Sequence, residues 1–166
     1  MHSAIELARG LSMGRGCEIC GFVAGRQHIL LEVECWMVFL HPDQYHLGRS
    51  VVTLKRHCAA LSQVNAVEWR EFEKLVGLME MGVSKAFRPD LFNWTCLMNL
   101  AFQEEPPQPH VHWHLRPRYR DKRNVEGWEF EDREFGHHYD EGKASFVEAK
   151  VFCRIESAIK KVLQGH

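Results

Sequence analysis

His110-Val111-His112-Trp113-His114-Leu115-Arg116 is the stretch on which the reading of this chain turns. Histidine alternates with apolar residues. In a β-strand, successive side chains point to opposite faces. Val111, Trp113 and Leu115 would therefore enter a core, and His110, His112 and His114 would stand in a row on the other face. Pro106, Pro107 and Pro109 come just before, and Pro117 just after. Proline is poorly tolerated inside a central strand, so these residues mark the expected strand ends.

Geometry argues against one metal held by all three histidines. At the rise of an extended strand the outer two Cβ atoms would lie roughly 13 Å apart. A metal–nitrogen bond is only about 2.0–2.1 Å, so both rings would barely reach one ion. A division of labour fits the row better. The plain alternative is a strand whose polar face is solvated.

The rest of the chain sets the frame. Its 166 residues are enough for one domain with a real core, and no domain boundary or internal repeat is visible. A formal net charge of −1 gives no global pull towards nucleic acid or a membrane surface, and neither is expected as a partner. No apolar run approaches a membrane-spanning helix, and Met1-His2-Ser3-Ala4-Ile5-Glu6 does not resemble a secretory signal. Cys35, Cys58, Cys96 and Cys153 lie among apolar neighbours, as buried free thiols do. The expectation is a reduced, cytoplasmic protein.

In chain order, a short helix is expected over 3–12, with Ser3 as N-cap and Gly14 and Gly16 ending it. Cys17-Glu18-Ile19-Cys20-Gly21 has metal-ligand spacing, which a redox pair or two core thiols would share. Strands are expected at 28–34 and 35–40, with a tight bend between them, and at 50–56. A polar loop, His41 to Gly48, lies between the second and third. Residues 67–87 read as a core-packing helix. Phe72, Leu75, Val76, Met79, Val83, Ala86 and Phe87 fall on one face, Glu68 and Glu71 mostly on the other, and Pro89 closes it. A fourth strand is expected at 91–99 and the histidine strand is the fifth. Residues 120–143 read as a long loop. Residues 145–163 read as a last helix, with Ala149, Phe152, Ile155, Ile159 and Val162 on one side.

The histidine stretch resembles the signature of the histidine triad family of nucleotide hydrolases and transferases, His-φ-His-φ-His-φ-φ, where φ is apolar. The resemblance extends upstream. Gly48-Arg49-Ser50-Val51-Val52-Thr53-Leu54-Lys55-Arg56-His57 looks like the family's middle strand and the K-x-H after it. Asn93-Trp94 and Leu97-Met98-Asn99 look like the strand before the triad. The match covers about residues 17–120, followed by a C-terminal loop and helix over 121–166. It implies a single α+β domain over 1–166, with a largely antiparallel sheet of about five strands and packed helices. It also implies a homodimer, and hydrolysis or transfer at a nucleotide α-phosphate. Diadenosine polyphosphate hydrolase-like members are the nearest pattern, with dinucleoside polyphosphates or nucleoside phosphoramidates as substrates.

The resemblance further implies site roles. Some members bind zinc with a C-x-x-C pair, the histidine after the middle strand and the first triad histidine, here Cys17, Cys20, His57 and His110. Such a Cys₂His₂ set is a closed structural site. The middle histidine, His112, corresponds to the nucleophile, and His114 to a group that hydrogen-bonds phosphate or the bridging oxygen. A neutral imidazole is nucleophilic near pH 7, and its second nitrogen should donate to a backbone carbonyl to hold one tautomer. Asn99 matches a polar residue beside the α-phosphate. Arg116, Arg118, Arg120, Lys122 and Arg123 form a basic cluster that would steer polyphosphate, with Lys122 and Arg123 read as solvated loop. Three departures bear on the substrate. Arg49 replaces a histidine. His41 takes the place of the ribose-binding acid or amide, with Asp43 near enough to substitute. Pro107 replaces a hydroxyl residue, with Gln108 beside it. A phosphorylase or nucleotidyltransferase using the same intermediate, and a nucleotide sensor with negligible turnover, are the rival readings.

Overall fold

The histidine strand lies inside the sheet rather than at its edge. The computed structural model describes residues 16–103, 105–140 and 142–165. The helix expected over 3–12 lies outside the described residues. The chain runs α1 (Glu18–Gly25), β1 (Ile29–Glu32), β2 (Trp36–Leu40), β3 (Ser50–Leu54), α2 (Ala66–Phe87), β4 (Leu91–Thr95), β5 (His112–Arg118), β6 (Arg123–Val125), β7 (Trp128–Phe130) and α3 (Ala149–Leu163). Five strands form one antiparallel sheet in the order β1-β2-β3-β5-β4, and β6 pairs only with β7. This is the expected α+β architecture.

Register places the core on one face. Trp36 pairs with Leu54, Val38 with Val52, Val52 with Trp113, and Leu115 with both Ser50 and Trp94. Trp36, Val38, Val52, Leu54, Val111 and Leu115 are fully buried there, under α2 and α3. Trp113 is half-buried on the same side, its ring 5.1 Å from that of Phe72 in α2. Among the described residues no helix is long and apolar enough to cross a membrane.

β5 continues through Pro117 to Arg118, past the expected end. The backbone explains why. Val111 donates to the Cys58 carbonyl (2.7 Å), so odd-numbered residues bond towards β3. The Arg118 carbonyl accepts from Asp90 (2.9 Å), so even-numbered ones bond towards β4. β3 begins at Ser50, opposite Leu115. The Pro117 nitrogen therefore faces an edge where β3 has ended, and no ladder bond is lost.

α2 starts on a capping box. The Asn65 side chain accepts from Val67 and Glu68, and Glu68 accepts the Asn65 N–H. Leu75, Met79 and Val83 are its buried stripe. Two acids expected on its polar face have inward work. Glu68 is buried against Arg56 (2.6 and 2.9 Å), and Glu71 accepts the N–H groups of Glu34 and Cys35 in the β1–β2 bend. Gly82 lets α3 approach closely; a Cβ there would meet the Leu163 side chain at 2.9 Å.

Other boundaries move for identifiable reasons. β4 ends at Thr95 rather than Asn99, and Asn99–Gln103 forms a 3-10 turn. α3 starts at Ala149, because Gln44 donates to the Ser145 carbonyl (2.8 Å) and Asp43 bridges to Phe146 in extended pairing. Its buried stripe is Val151, Ile155 and Ile159, and Cys153 is exposed on its far side, not buried as expected. Residues 120–143 are not simply a loop. They contain the β6–β7 hairpin, whose two-residue turn, Glu126-Gly127, has positive φ at both positions (52° and 85°). That turn matches the twist of a two-residue hairpin, and glycine makes the second position inexpensive.

Candidate functional site

The face of the sheet away from the core carries the histidines. Thr53 pairs with His112, Val51 with His114, Thr95 with His114 and Asn93 with Arg116. His41 donates its backbone N–H to Arg49, which extends the face beyond Leu40 and Ser50. His112, His114, Arg116, His41 and Arg49 therefore share one surface. Phe39 and Met37 lie between them and the β1 edge, both buried.

His112 sits mid-face with its Nδ1 2.7 Å from the backbone carbonyl of His110. A carbonyl only accepts, so Nδ1 carries the proton and Nε2 keeps its lone pair. The His114 ring packs edge-on to His112, with centroids 5.0 Å apart. Burial, then the nearby His112 and Arg116, lower its pKa to about 3, so it is neutral at physiological pH. Its Nδ1 is buried without a hydrogen-bond partner among the described residues.

His110 belongs to a different centre. It is buried, and its Nε2 donates to the Leu54 carbonyl (2.8 Å), which leaves Nδ1 pointing at two thiols. Cys17 Sγ lies 3.3 Å and Cys20 Sγ 3.4 Å from it, and Cys20 Sγ is 3.5 Å from His57 Nδ1. All four donor atoms fall within 4.8 Å of one another. A tetrahedron with zinc–sulfur and zinc–nitrogen bonds of ordinary length has sulfur–nitrogen edges of about 3.5 Å. The set therefore fits zinc. Cys17 caps α1 and Cys20 is one turn on, so a single helical turn aims both thiols. Burial, followed by the Cys17 neighbour, pushes the Cys20 thiol up to about 11. A cation beside it would favour the Cys20 thiolate. The Leu54 carbonyl supplies the outer-shell bond that fixes the ring of a metal-binding histidine.

The other sequence-derived candidates divide. Asp43 is 4% exposed and saturated: it accepts from Tyr45 (2.9 Å) and Ser145 (2.7 Å) and pairs with Arg49. It holds the loop, its carboxylate oxygens taken up by protein partners. His41 accepts the Asp43 N–H on Nδ1 (3.0 Å), and burial lowers its pKa to about 3. It offers a donor where the resemblance expects an acceptor for ribose hydroxyls. Asn99 and Gln108 are exposed on the connection between β4 and β5.

The basic cluster is not a solvated entrance. Arg118 is buried in a two-point pair with Asp132 (2.5 and 3.0 Å) and donates to the carbonyls of Glu134 and His137. Arg123 stitches the end of α2, donating to the carbonyls of Phe87 and Arg88. Arg120 is exposed over Phe135, and Lys122 is exposed beside Glu129 as expected. Arg116 is buried, donating to Tyr139 (2.9 Å) and Thr95 (3.3 Å). The sequence reading missed Asp132, Tyr139 and His46. His46 is buried, edge-on to Tyr139 (5.2 Å), and burial lowers its pKa to about 4. For Tyr139 the signal was Phe135-Gly136-His137-His138-Tyr139, an aromatic and histidine run unlike an ordinary polar loop; Asp132 and His46 had none.

No family model and no curated protein matches the chain. Solved structures do. A hypothetical histidine triad nucleotide-binding protein from Sulfolobus tokodaii strain 7 aligns over 90% of this chain and 93% of its own, with a TM-score of 0.63 and 17% identity. A zinc-bound histidine triad family protein from Mycobacterium smegmatis aligns over 90% and 97%, with a TM-score of 0.57 and 16% identity. A structure described as uridylyltransferase aligns over 98% of this chain and 50% of its own, with a TM-score of 0.62 and 13% identity. The chain has the histidine triad fold, with His112 and His114 on β5 and His110 just before it.

Proposed function

We propose that this protein attacks the α-phosphate of a nucleotide with His112 and passes the nucleotidyl group to water. The observation that carries this reading is the His112 Nδ1 bond to the His110 carbonyl, which leaves the lone pair on Nε2 of a partly exposed ring. In the first step Nε2 bonds to phosphorus, and the bond from phosphorus to the leaving group breaks with its electron pair. In the second, a water oxygen bonds to phosphorus, the phosphorus–nitrogen bond breaks back to Nε2, and the water gives up a proton. His114, neutral and adjacent, would donate to the phosphate or bridging oxygen. Zinc held by Cys17, Cys20, His57 and His110 would be structural. It would fix the His110 backbone, whose carbonyl orients His112, and supply no chemistry at phosphorus.

Dinucleoside polyphosphates such as diadenosine tetraphosphate, or nucleoside phosphoramidates, are the substrates this reading favours. A nucleotidyltransferase or phosphorylase shares the first step and differs only in the second acceptor. The likeness to a uridylyltransferase structure supports keeping that reading. A reduced, cytoplasmic setting goes with six free cysteines, two of them at the zinc set. A homodimer goes with the edge position of β4 and the exposed Leu100 and Phe102 on the turn after it.

Products from diadenosine tetraphosphate, with and without inorganic phosphate, test the proposal. AMP and ATP in both conditions are expected. ADP appearing with phosphate would make the protein a phosphorylase. Nucleotide binding without any product would leave a sensor.

A further inference from the structure

His41 stands on the histidine face with one ring nitrogen already committed. The Asp43 backbone N–H points at its Nδ1 from 3.0 Å. A backbone N–H only donates, so Nδ1 is the acceptor and the ring proton sits on Nε2. Burial lowers the pKa to about 3, so the ring stays neutral and keeps this tautomer at physiological pH. Nε2 has no hydrogen-bond partner among the described residues, and, unlike the Nδ1 of His114, it reaches the surface. The backbone around it is fixed. The His41 N–H donates to the Arg49 carbonyl (3.0 Å). The fully buried Gln44 side chain donates to the carbonyls of His41 (2.6 Å) and Arg49 (2.9 Å). Pro42 follows, its φ locked by its own ring. The result is a rigid N–H donor that the chain itself leaves unused.

Register sets its distance from the reacting groups. Val51 pairs with both Phe39 on β2 and His114 on β5, and His41 lies two residues beyond Phe39. Two strand spacings of about 4.8 Å and one two-residue step of about 6.6 Å put the His41 and His114 Cα atoms about 12 Å apart. The half-buried Val51 lies between them. His41 is near enough for its charge to bear on the His114 ring.

We propose that His41 is a specificity-determining residue for the nucleotide sugar, donating from Nε2 to a sugar oxygen that serves only as an acceptor. This deepens the reading of His112 and rests on it for the position of the phosphate. In a nucleotide the sugar is bonded to the α-phosphate through one methylene. A phosphate at His112 and His114 therefore brings the sugar over Val51, whose methyl groups suit its C–H face, and within reach of His41. The carboxylate of Asp43, two residues on, is taken up by Tyr45, Ser145 and Arg49, so it does not compete for a hydroxyl proton. A sugar oxygen held by His41 uses a lone pair and not a hydrogen. The site should therefore take nucleotides in which that oxygen is capped as well as those in which it is free, and discriminate against those that lack it.

The test is calorimetric binding of adenosine monophosphates to the full chain, with hydroxyl, methoxy or hydrogen at the 2′ and, separately, the 3′ position. At one of the two positions, hydrogen should weaken binding to native protein about 5–10-fold, the worth of one neutral hydrogen bond, and methoxy by less than about 2-fold. His41→Phe should bring the three substituents within about 2-fold of one another. His41→Asp, which puts an acceptor in place of the donor, should favour hydroxyl over methoxy by about 5-fold or more. A hydrogen penalty that survives His41→Phe, or methoxy as costly as hydrogen at both positions, overturns the proposal. Native protein supplies a second measurement that needs no variant. Heteronuclear NMR should show the His41 proton on Nε2 from about pH 5 to 8, exchanging with water more slowly once AMP is bound. A proton on Nδ1, or exchange unchanged by AMP, overturns the proposal. A hydrogen penalty that disappears in His41→Phe, with no turnover of any nucleotide by native protein, sinks the His112 reading and leaves the His41 assignment in place.

Discussion

The Nδ1 nitrogen of His112, the first residue of β5, lies 2.7 Å from the carbonyl oxygen of His110, two residues earlier in the chain. One backbone group thus links the two centres of the protein. The His110 ring faces the thiols, and its carbonyl sets the tautomer of His112.

From that link, His112→Ala should reduce turnover by several orders of magnitude while the fold is kept, because the two-step path is lost. His114→Ala should cost less, about 10²–10³, as one charge-stabilising donor does. Rapid quench should trap an acid-labile nucleotide on native protein and none on the His112 variant. Near-native turnover by His112→Ala would refute the mechanism.

Zinc removal should act on the fold. Elemental analysis is expected to find about one zinc per chain, and chelation should lower the melting temperature, because binding and folding are coupled. Cys20→Ser should lose the metal. Metal-free protein whose melting temperature is indifferent to chelators would rule out the Cys17, Cys20, His57, His110 centre.

Asp132→Ala should be among the most destabilising single changes outside the core. Burial acts against the Asp132 carboxylate, yet the Arg118 pair holds its pKa below the usual range. Both side chains are only 2% exposed. Removing the acid strands a buried guanidinium, at a cost of about 3–5 kcal/mol. Urea denaturation measures it; a loss under about 1 kcal/mol would mean that the Glu134 and His137 carbonyls suffice.

Stability should also fall on mild acidification. Burial lowers the pKa of His46 to about 4, and of His41 and His114 to about 3. Each unfolds to an ordinary histidine with a pKa near 6.5. Between these values the unfolded chain binds more protons, so stability is full above about pH 6.5 and is lost as pH falls towards 4 and 3. At pH 5.5 the fully buried His46 alone contributes a loss of about 1.4 kcal/mol. His46→Gln should therefore lose that much less than native protein between pH 7.5 and 5.5 in urea titrations. Parallel losses in the two proteins would show that His46 is not the proton acceptor.

The sequence by itself determined the elements and the face. Strict alternation over 110–115 placed Val111 and Leu115 in the core and the histidines opposite, since a strand has a period of two. Helical spacing gave α2 almost residue for residue, and the structure adds the Asn65–Glu68 capping box that starts it. Cys17, Cys20, His57 and His110 were legible as a set through family resemblance, and the fold gathers them within 4.8 Å. What only the tertiary structure decided was which charges are spent. Nothing local to Arg118, Arg123 or Asp43 says that its partners lie on distant segments. Asp132, the end of α2 and Ser145 are all brought in by packing. Pro117 follows the same rule: it ends a strand only where a neighbour needs its missing N–H, and here that neighbour has already stopped at Ser50. Local pattern fixes which way a side chain points; long-range contact fixes whether it meets solvent, a partner or a ligand.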